Sequence, residues 1–69
     1  MSATFNKISR ENAAWIKWLA LNTELKQQDI ALMVGIHPGT VNHVIRRKRM
    51  RDVRPVEPPD WIMNQLLAA

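Results

Sequence analysis

The 69-residue chain contains no cysteine, and no apolar run in it approaches the ~18 residues of a membrane span. Without cysteine, neither disulfides nor thiolate ligands can hold the fold, and two histidines, His37 and His43, do not make a zinc site by themselves. The first residues lack the basic-then-apolar pattern of a signal peptide. We therefore expect a soluble cytoplasmic protein with no membrane partner, no metal and no cofactor, held together by apolar packing.

Residue patterns typical of catalysis are also missing. The six carboxylates are scattered, and the sequence has no nucleophile-base arrangement and no glycine-rich phosphate loop. A chain this short forms one small domain that buries only about 60% of its unfolded surface, so a second subunit is one way to add stability. We expect no enzymatic activity, no effector domain and no small-molecule effector.

Positive charge is concentrated in one stretch of the chain. The formal net charge is +4, and six of the ten basic residues are Arg46, Arg47, Lys48, Arg49, Arg51 and Arg54. Asp52 is the only acidic residue among them. Such a cluster attracts polyanions, although a solvated basic helix end is the simpler alternative.

Two helices are predicted in the first half of the chain from capping residues and apolar periodicity. Ser9 suits the N-cap of a first helix that reaches about Asn22. Its apolar stripe consists of Ala13, Ile16, Leu19 and Ala20. A second helix runs from about Lys26 to Met33, and Gly35 ends it by accepting a positive φ without a Cβ clash. Its inward-facing residues are Leu25, Ile30, Ala31 and Val34.

Two further helices are predicted after this point. Pro38 suits the first position of a helix, which makes His37 the N-cap, an unusual residue for that role. The inward-facing residues of this third helix are Val41, Val44 and Ile45. An extended linker or short arm is then favoured by Pro55, Pro58 and Pro59. Asp60 is expected to cap a last short helix from Trp61 to about Ala68.

Residues 27–46 match the spacing of a helix-turn-helix. Counted from Gln27, the fifth, ninth, tenth, fifteenth and eighteenth positions are Ala31, Gly35, Ile36, Val41 and Val44. The small residue lets two helices cross closely, the glycine makes a left-handed turn, and the others form a shared core. The sequence therefore predicts an all-α fold of about four helices, with an extended Pro-rich segment before the last. We divide it into a helix-turn-helix domain, 1–54, and a C-terminal segment, 55–69, for dimerisation or core-capping.

A family resemblance rests on Gln27-Gln28-Asp29-Ile30-Ala31, Gly35-Ile36 and Thr40-Val41. These residues resemble those of small helix-turn-helix DNA-binding regulators of the phage or mobile-element repressor type, over roughly residues 7–53. In such modules the second helix of the pair lies in the major groove. This chain departs from the pattern at Lys26, where Ser or Thr often caps the helix, and at Pro38-Gly39, where base-reading side chains are common.

The resemblance also implies which side chains meet DNA. The residues expected at base edges are Asn42, His43 and Arg46, with Pro38 against a thymine methyl group. The residues expected at phosphates are Gln27, His37, Thr40, Arg47, Lys48, Arg49, Arg51 and Arg54. The arm from Arg51 to Arg54 follows the DNA backbone or enters a minor groove. Two alternatives stay open, because His43 can simply face solvent and Asn42 can face a phosphate.

A homodimer is expected because one recognition helix contacts about half of a DNA site. We predict its interface from the apolar residues outside the motif, which are Trp15, Trp18, Trp61, Ile62, Leu66 and Leu67. The alternative is intramolecular, with the last helix folded back over the tryptophans of the first.

The leading interpretation is a transcriptional regulator, a homodimeric repressor that binds an inverted repeat in double-stranded DNA. An alternative is an accessory DNA-binding subunit or domain of a phage nuclease, recombinase or terminase. A third class is a protein-interaction module whose basic run binds RNA, which competition with duplex DNA would distinguish.

Overall fold

The computed structural model describes residues 8–46 and 50–68. In these two ranges the chain forms four helices and no strand, which confirms the predicted all-α class. The helices are α1 Arg10–Asn22, α2 Gln27–Val34, α3 Pro38–Ile45 and α4 Asp60–Ala68. No helix in the described ranges is both long enough and apolar enough to cross a membrane. The predicted phosphate contacts Arg47, Lys48 and Arg49 lie outside the described residues.

Side-chain caps define the two ends of α1. The Ser9 hydroxyl oxygen accepts a hydrogen bond from the Asn12 N–H at 3.0 Å, which confirms the predicted N-cap. At the other end, the Thr23 hydroxyl donates to the Leu19 carbonyl oxygen at 2.6 Å. The backbone N–H of Thr23 donates to the same oxygen at 3.1 Å. These bonds satisfy helix-end groups that have no partner within the helix.

A turn of three residues, 35–37, joins α2 to α3. Gly35 has φ +83° and donates its N–H to the Ala31 carbonyl oxygen at 2.8 Å, as the predicted left-handed C-cap requires. His37 precedes Pro38, the first residue of α3, and its Nδ1 accepts from the Gly39 N–H at 2.9 Å. Both predicted caps are therefore confirmed, and they set the length and direction of the turn.

One apolar core joins all four helices. Its buried members are Ala13, Ile16, Leu19, Ile30, Ala31, Val34, Val41, Val44 and Ile62. Three residues predicted to face inward are only partly buried and pack against this core, namely Ala20, Leu25 and Ile45. Because Ile62 of α4 is fully buried with residues of α1, α2 and α3, the C-terminal segment covers the core of its own chain.

The segment before α4 forms no helix, as predicted from its prolines, and the structure adds that it is attached to α1. We call residues 50–59 the strap. The Val56 N–H donates to the Ala14 carbonyl oxygen of α1 at 3.2 Å, and Pro58 is buried. At the start of the strap, Lys17 of α1 donates to the Val53 carbonyl oxygen at 2.8 Å. The prolines prevent a helix here, and these contacts determine where the extended chain lies.

Candidate nucleic-acid interface

Helix α3 has a buried side and an accessible side. Val41 and Val44 are fully buried, whereas Pro38 and His43 are exposed and Asn42 is half-buried. At about 100° per residue, Pro38, Asn42, His43 and the C-cap Arg46 fall within about 140° of the helix surface. The four predicted base-reading residues therefore share one face, opposite the side that packs in the core.

Thr40 departs from its predicted role. Its side chain is only 8% exposed, and its backbone N–H already donates to the His37 carbonyl oxygen at 3.0 Å. A residue with so little exposed surface offers little of its side chain to a phosphate oxygen. We therefore correct the predicted phosphate contact, because Thr40 lies on the core side of α3 together with Val41 and Val44.

Asn42 is limited by the position of its amide oxygen. The Oδ1 atom is buried and has no hydrogen-bond partner among the described residues. A two-point contact with adenine needs the amide oxygen as acceptor and the NH₂ group as donor. In the observed side-chain conformation the oxygen is inaccessible, so such a contact requires the side chain to rotate.

His37 combines its capping role with an exposed ring. Its Nδ1 accepts from the Gly39 N–H, so in the neutral ring the proton resides on Nε2, which is left as a donor. A Cβ atom added at Gly39 would lie 3.1 Å from His37 Nδ1. Because Gly39 has no side chain, it leaves room for the capping imidazole.

The exposed basic residues of the strap lie close to the end of α3. An open cleft of about 580 Å³ separates α1, the end of α3 and the strap, and both Arg51 and Arg54 line it together with Ile45. Arg46, Arg51 and Arg54 are all exposed, and so is Gln27 at the start of α2. The fold therefore brings two of the predicted phosphate contacts of the strap next to the C-terminal end of α3.

Asp52, the one acidic residue in the basic stretch, forms an ion pair with Arg10 of α1. Its Oδ2 atom accepts from Nη2 of Arg10 at 2.8 Å, and Oδ1 accepts from Nη1 at 3.4 Å. The hydrogen bond from the Arg10 guanidinium is the main cause that lowers the pKa of the Asp52 carboxyl. In the described ranges no carboxylate lies within ion-pair distance of Arg46, Arg51 or Arg54, so their charge is available to an outside anion.

The tryptophans meet within one chain. The rings of Trp15 and Trp61 form an edge-to-face pair with centroids 6.0 Å apart, and Trp18 packs against the core. Ile62, predicted at a subunit interface, is 0% exposed, which corrects that prediction because it leaves no surface for a partner. The surfaces that remain are Trp61, 55% exposed, and Leu67, 84% exposed, while Leu66 is half-buried.

Sequence reasoning missed Lys17 and Arg10, whose partners are 33 to 42 residues away along the chain. Lys17 lies off the apolar stripe of α1, and no local signal connects either residue to the strap.

No protein-family model, curated protein or solved structure matches this chain.

Proposed function

We propose that the protein binds duplex DNA, with the exposed face of α3 in the major groove. The observation that carries this proposal is the division of α3 into a buried apolar side and an opposite side on which His43 and Arg46 are exposed and Asn42 is half-buried. The major groove is wide enough to admit an α-helix, and its base edges present distinct patterns of donors and acceptors. A helix held by its opposite side in the core can present such a face without unfolding.

Arg46 is the strongest candidate for base reading. It is exposed at the C-cap of α3, and no described carboxylate neutralises its guanidinium. Arginine can donate two hydrogen bonds to the O6 and N7 atoms of guanine. His43 adds a second polar side chain on the same face, and Pro38 offers apolar contact to a thymine methyl group.

Phosphate contacts are proposed on both sides of the reading face. Gln27 and His37 are exposed at the starts of α2 and α3, and at the start of α2, which has no side-chain cap hydrogen bond, backbone N–H groups also favour anions. Arg51 and Arg54 are exposed beyond the end of α3. The basic residues Arg47, Lys48 and Arg49 complete the predicted set. Contacts of this kind supply affinity that does not depend on the base sequence.

We propose that the protein regulates transcription as a homodimer. One copy of α3 reads about half a site, so a two-fold symmetric pair would recognise an inverted repeat and act as a cytoplasmic repressor by covering a promoter. The exposed apolar groups of α4, Trp61 and Leu67, are the candidates for the subunit contact.

The proposal is tested by selecting bound duplexes from a random pool. Anisotropy titrations then compare binding of the selected duplex, a scrambled duplex and a hairpin RNA. We expect an enriched sequence with two-fold symmetry, bound at least about 10³-fold more tightly than the scrambled duplex. Equal binding to every duplex would contradict sequence-specific recognition. Tighter binding of the RNA would favour the protein-and-RNA module instead.

A further inference from the structure

Lys17 holds the first turn of the strap. This half-buried residue of α1 donates from its ammonium group to the carbonyl oxygens of Met50 and Val53, the latter at 2.8 Å. Between these carbonyls the chain makes a tight turn, in which the Val53 N–H donates to the Met50 carbonyl oxygen at 3.1 Å. Met50 has φ +55°, a conformation that L residues adopt uncommonly. A lysine ammonium has three donors and no acceptor, so one group can bridge both carbonyls.

The turn that Lys17 bridges carries two exposed arginines. Arg51 lies inside it and Arg54 follows it directly, and both line the cleft at the end of α3. Asp52, the acidic residue of the turn, is paired with Arg10 of α1. The backbone is therefore tied to α1 on both sides of Arg51, and the two guanidinium groups remain accessible.

We propose that Lys17 is a positioning residue for DNA binding, which holds Arg51 and Arg54 beside the end of α3 where they contact phosphates. The inference rests on the duplex-DNA function proposed above. A mobile loop would have to be ordered when DNA binds, and that ordering opposes binding. Because Lys17 already orders the turn in the free protein, DNA binding does not have to supply the free energy of that ordering. Its own ammonium is engaged by two carbonyls, so it is not the phosphate contact itself.

A double-mutant cycle separates positioning from direct contact. The cycle compares Lys17→Met, which keeps an unbranched apolar chain but loses the charge, with the pair Arg51→Ala and Arg54→Ala, and with all three changes combined. We expect Lys17→Met to weaken binding of the selected duplex about tenfold in the native background and less than about twofold when both arginines are absent. The long-range effect of removing one charge is present in both backgrounds and cancels.

Two further measurements exclude a purely structural explanation. Lys17→Arg keeps several donors and is expected to restore binding to within about threefold of the native protein. Amide hydrogen exchange without DNA is expected to be at least about tenfold faster at Val53 in Lys17→Met, with little change at Val41 in the core. If Lys17→Met is not fully folded, Lys17→Gln, which retains one amide donor group, takes its place in the cycle.

The outcomes distinguish this inference from the function on which it rests. An equal loss of binding in both backgrounds overturns it, because Lys17 would then contact phosphate directly or act only on overall stability. Unchanged exchange at Val53 also overturns it. If the native protein binds no duplex, both the proposed function and this inference fail. If the native protein binds and only the coupling is absent, the positioning role alone fails.

Discussion

The imidazole of His37 lies against Gly39 at the start of α3. His37 Nδ1 accepts from the Gly39 N–H at 2.9 Å, and a Cβ atom added to Gly39 would approach the same nitrogen to 3.1 Å. The cap and the glycine therefore depend on each other, because Gly39 leaves room for the His37 ring that accepts from its N–H. This pair defines the start of the helix that we propose as the DNA reader.

Replacing His37 tests the cap. We expect His37→Ala to lower the free energy of unfolding by about 1 kcal/mol, because the Gly39 N–H loses its acceptor. His37→Asn, which offers a side-chain oxygen, is expected to recover most of that loss. The matched control is His43→Ala, an exposed position of the same helix, with a change within about 0.5 kcal/mol. Urea denaturation measures all three, and equal losses for His37→Ala and His43→Ala would contradict the capping role.

Removing Ile62 tests whether α4 belongs to the core. We expect Ile62→Ala to lower the free energy of unfolding by about 2–5 kcal/mol, because a fully buried side chain leaves a cavity. Leu32→Ala, at an 80% exposed position of α2, serves as control and is expected within about 0.5 kcal/mol of the native protein. The difference in unfolding free energy between Ile62→Ala and the native protein should not depend on protein concentration. A loss under about 1 kcal/mol for Ile62→Ala would argue that α4 detaches easily.

Acid titration tests the pair of Arg10 and Asp52. The Arg10 hydrogen bond lowers the pKa of Asp52 in the folded protein, so the stabilisation is complete above the ordinary aspartate value, about 3.9, and is lost as the pH falls through the lower folded value. In Arg10→Ala we expect the Asp52 pKa, followed by carboxyl NMR, to rise towards its ordinary value. Lys26→Ala, which removes another exposed cation, should leave it unchanged. An unshifted Asp52 in the native protein would show that the exposed pair does not persist in solution.

Two arginines are expected to differ in how they contribute to DNA binding. Arg46→Ala should weaken binding of the selected duplex by about 1–3 kcal/mol and relax the preference at one base pair. Arg54→Ala should weaken selected and scrambled duplexes alike, and it should reduce the slope of log K against log salt by about one unit. Titrations at several salt concentrations distinguish the two patterns. Equal losses on both duplexes for Arg46→Ala would remove it as a base reader.

The dimer prediction rests on the apolar surface left on α4. Sedimentation velocity at high micromolar concentration is expected to show a dimer, and Leu67→Glu should shift it to monomer by placing a charge in the interface. Leu32→Glu is the matched control, because Leu32 is a comparably exposed leucine on α2. A native protein that sediments only as a monomer would remove the dimer from the proposed function.

The helix starts and the turn were predictable because the signals are local. Ser9, Gly35 and His37 each act on backbone groups within a few residues, so their chemistry can be read from neighbours in the sequence. Most of the buried apolar positions of α1 and α3 likewise follow from periodicity, since the helix repeat decides which side chains share a face.

Only the tertiary structure decided what covers each face. Periodicity does not say that Trp15 meets Trp61, that Ile62 completes the core of its own chain, or that Thr40 is buried. It also does not connect Lys17 to the strap, since no local pattern links residues more than 30 positions apart. The sequence by itself determined the four helices and the turn, because capping and apolar repeat act over one or two turns of chain. The position of Arg51 and Arg54 beside α3 depends on long-range hydrogen bonds, which exist only once the helices have packed.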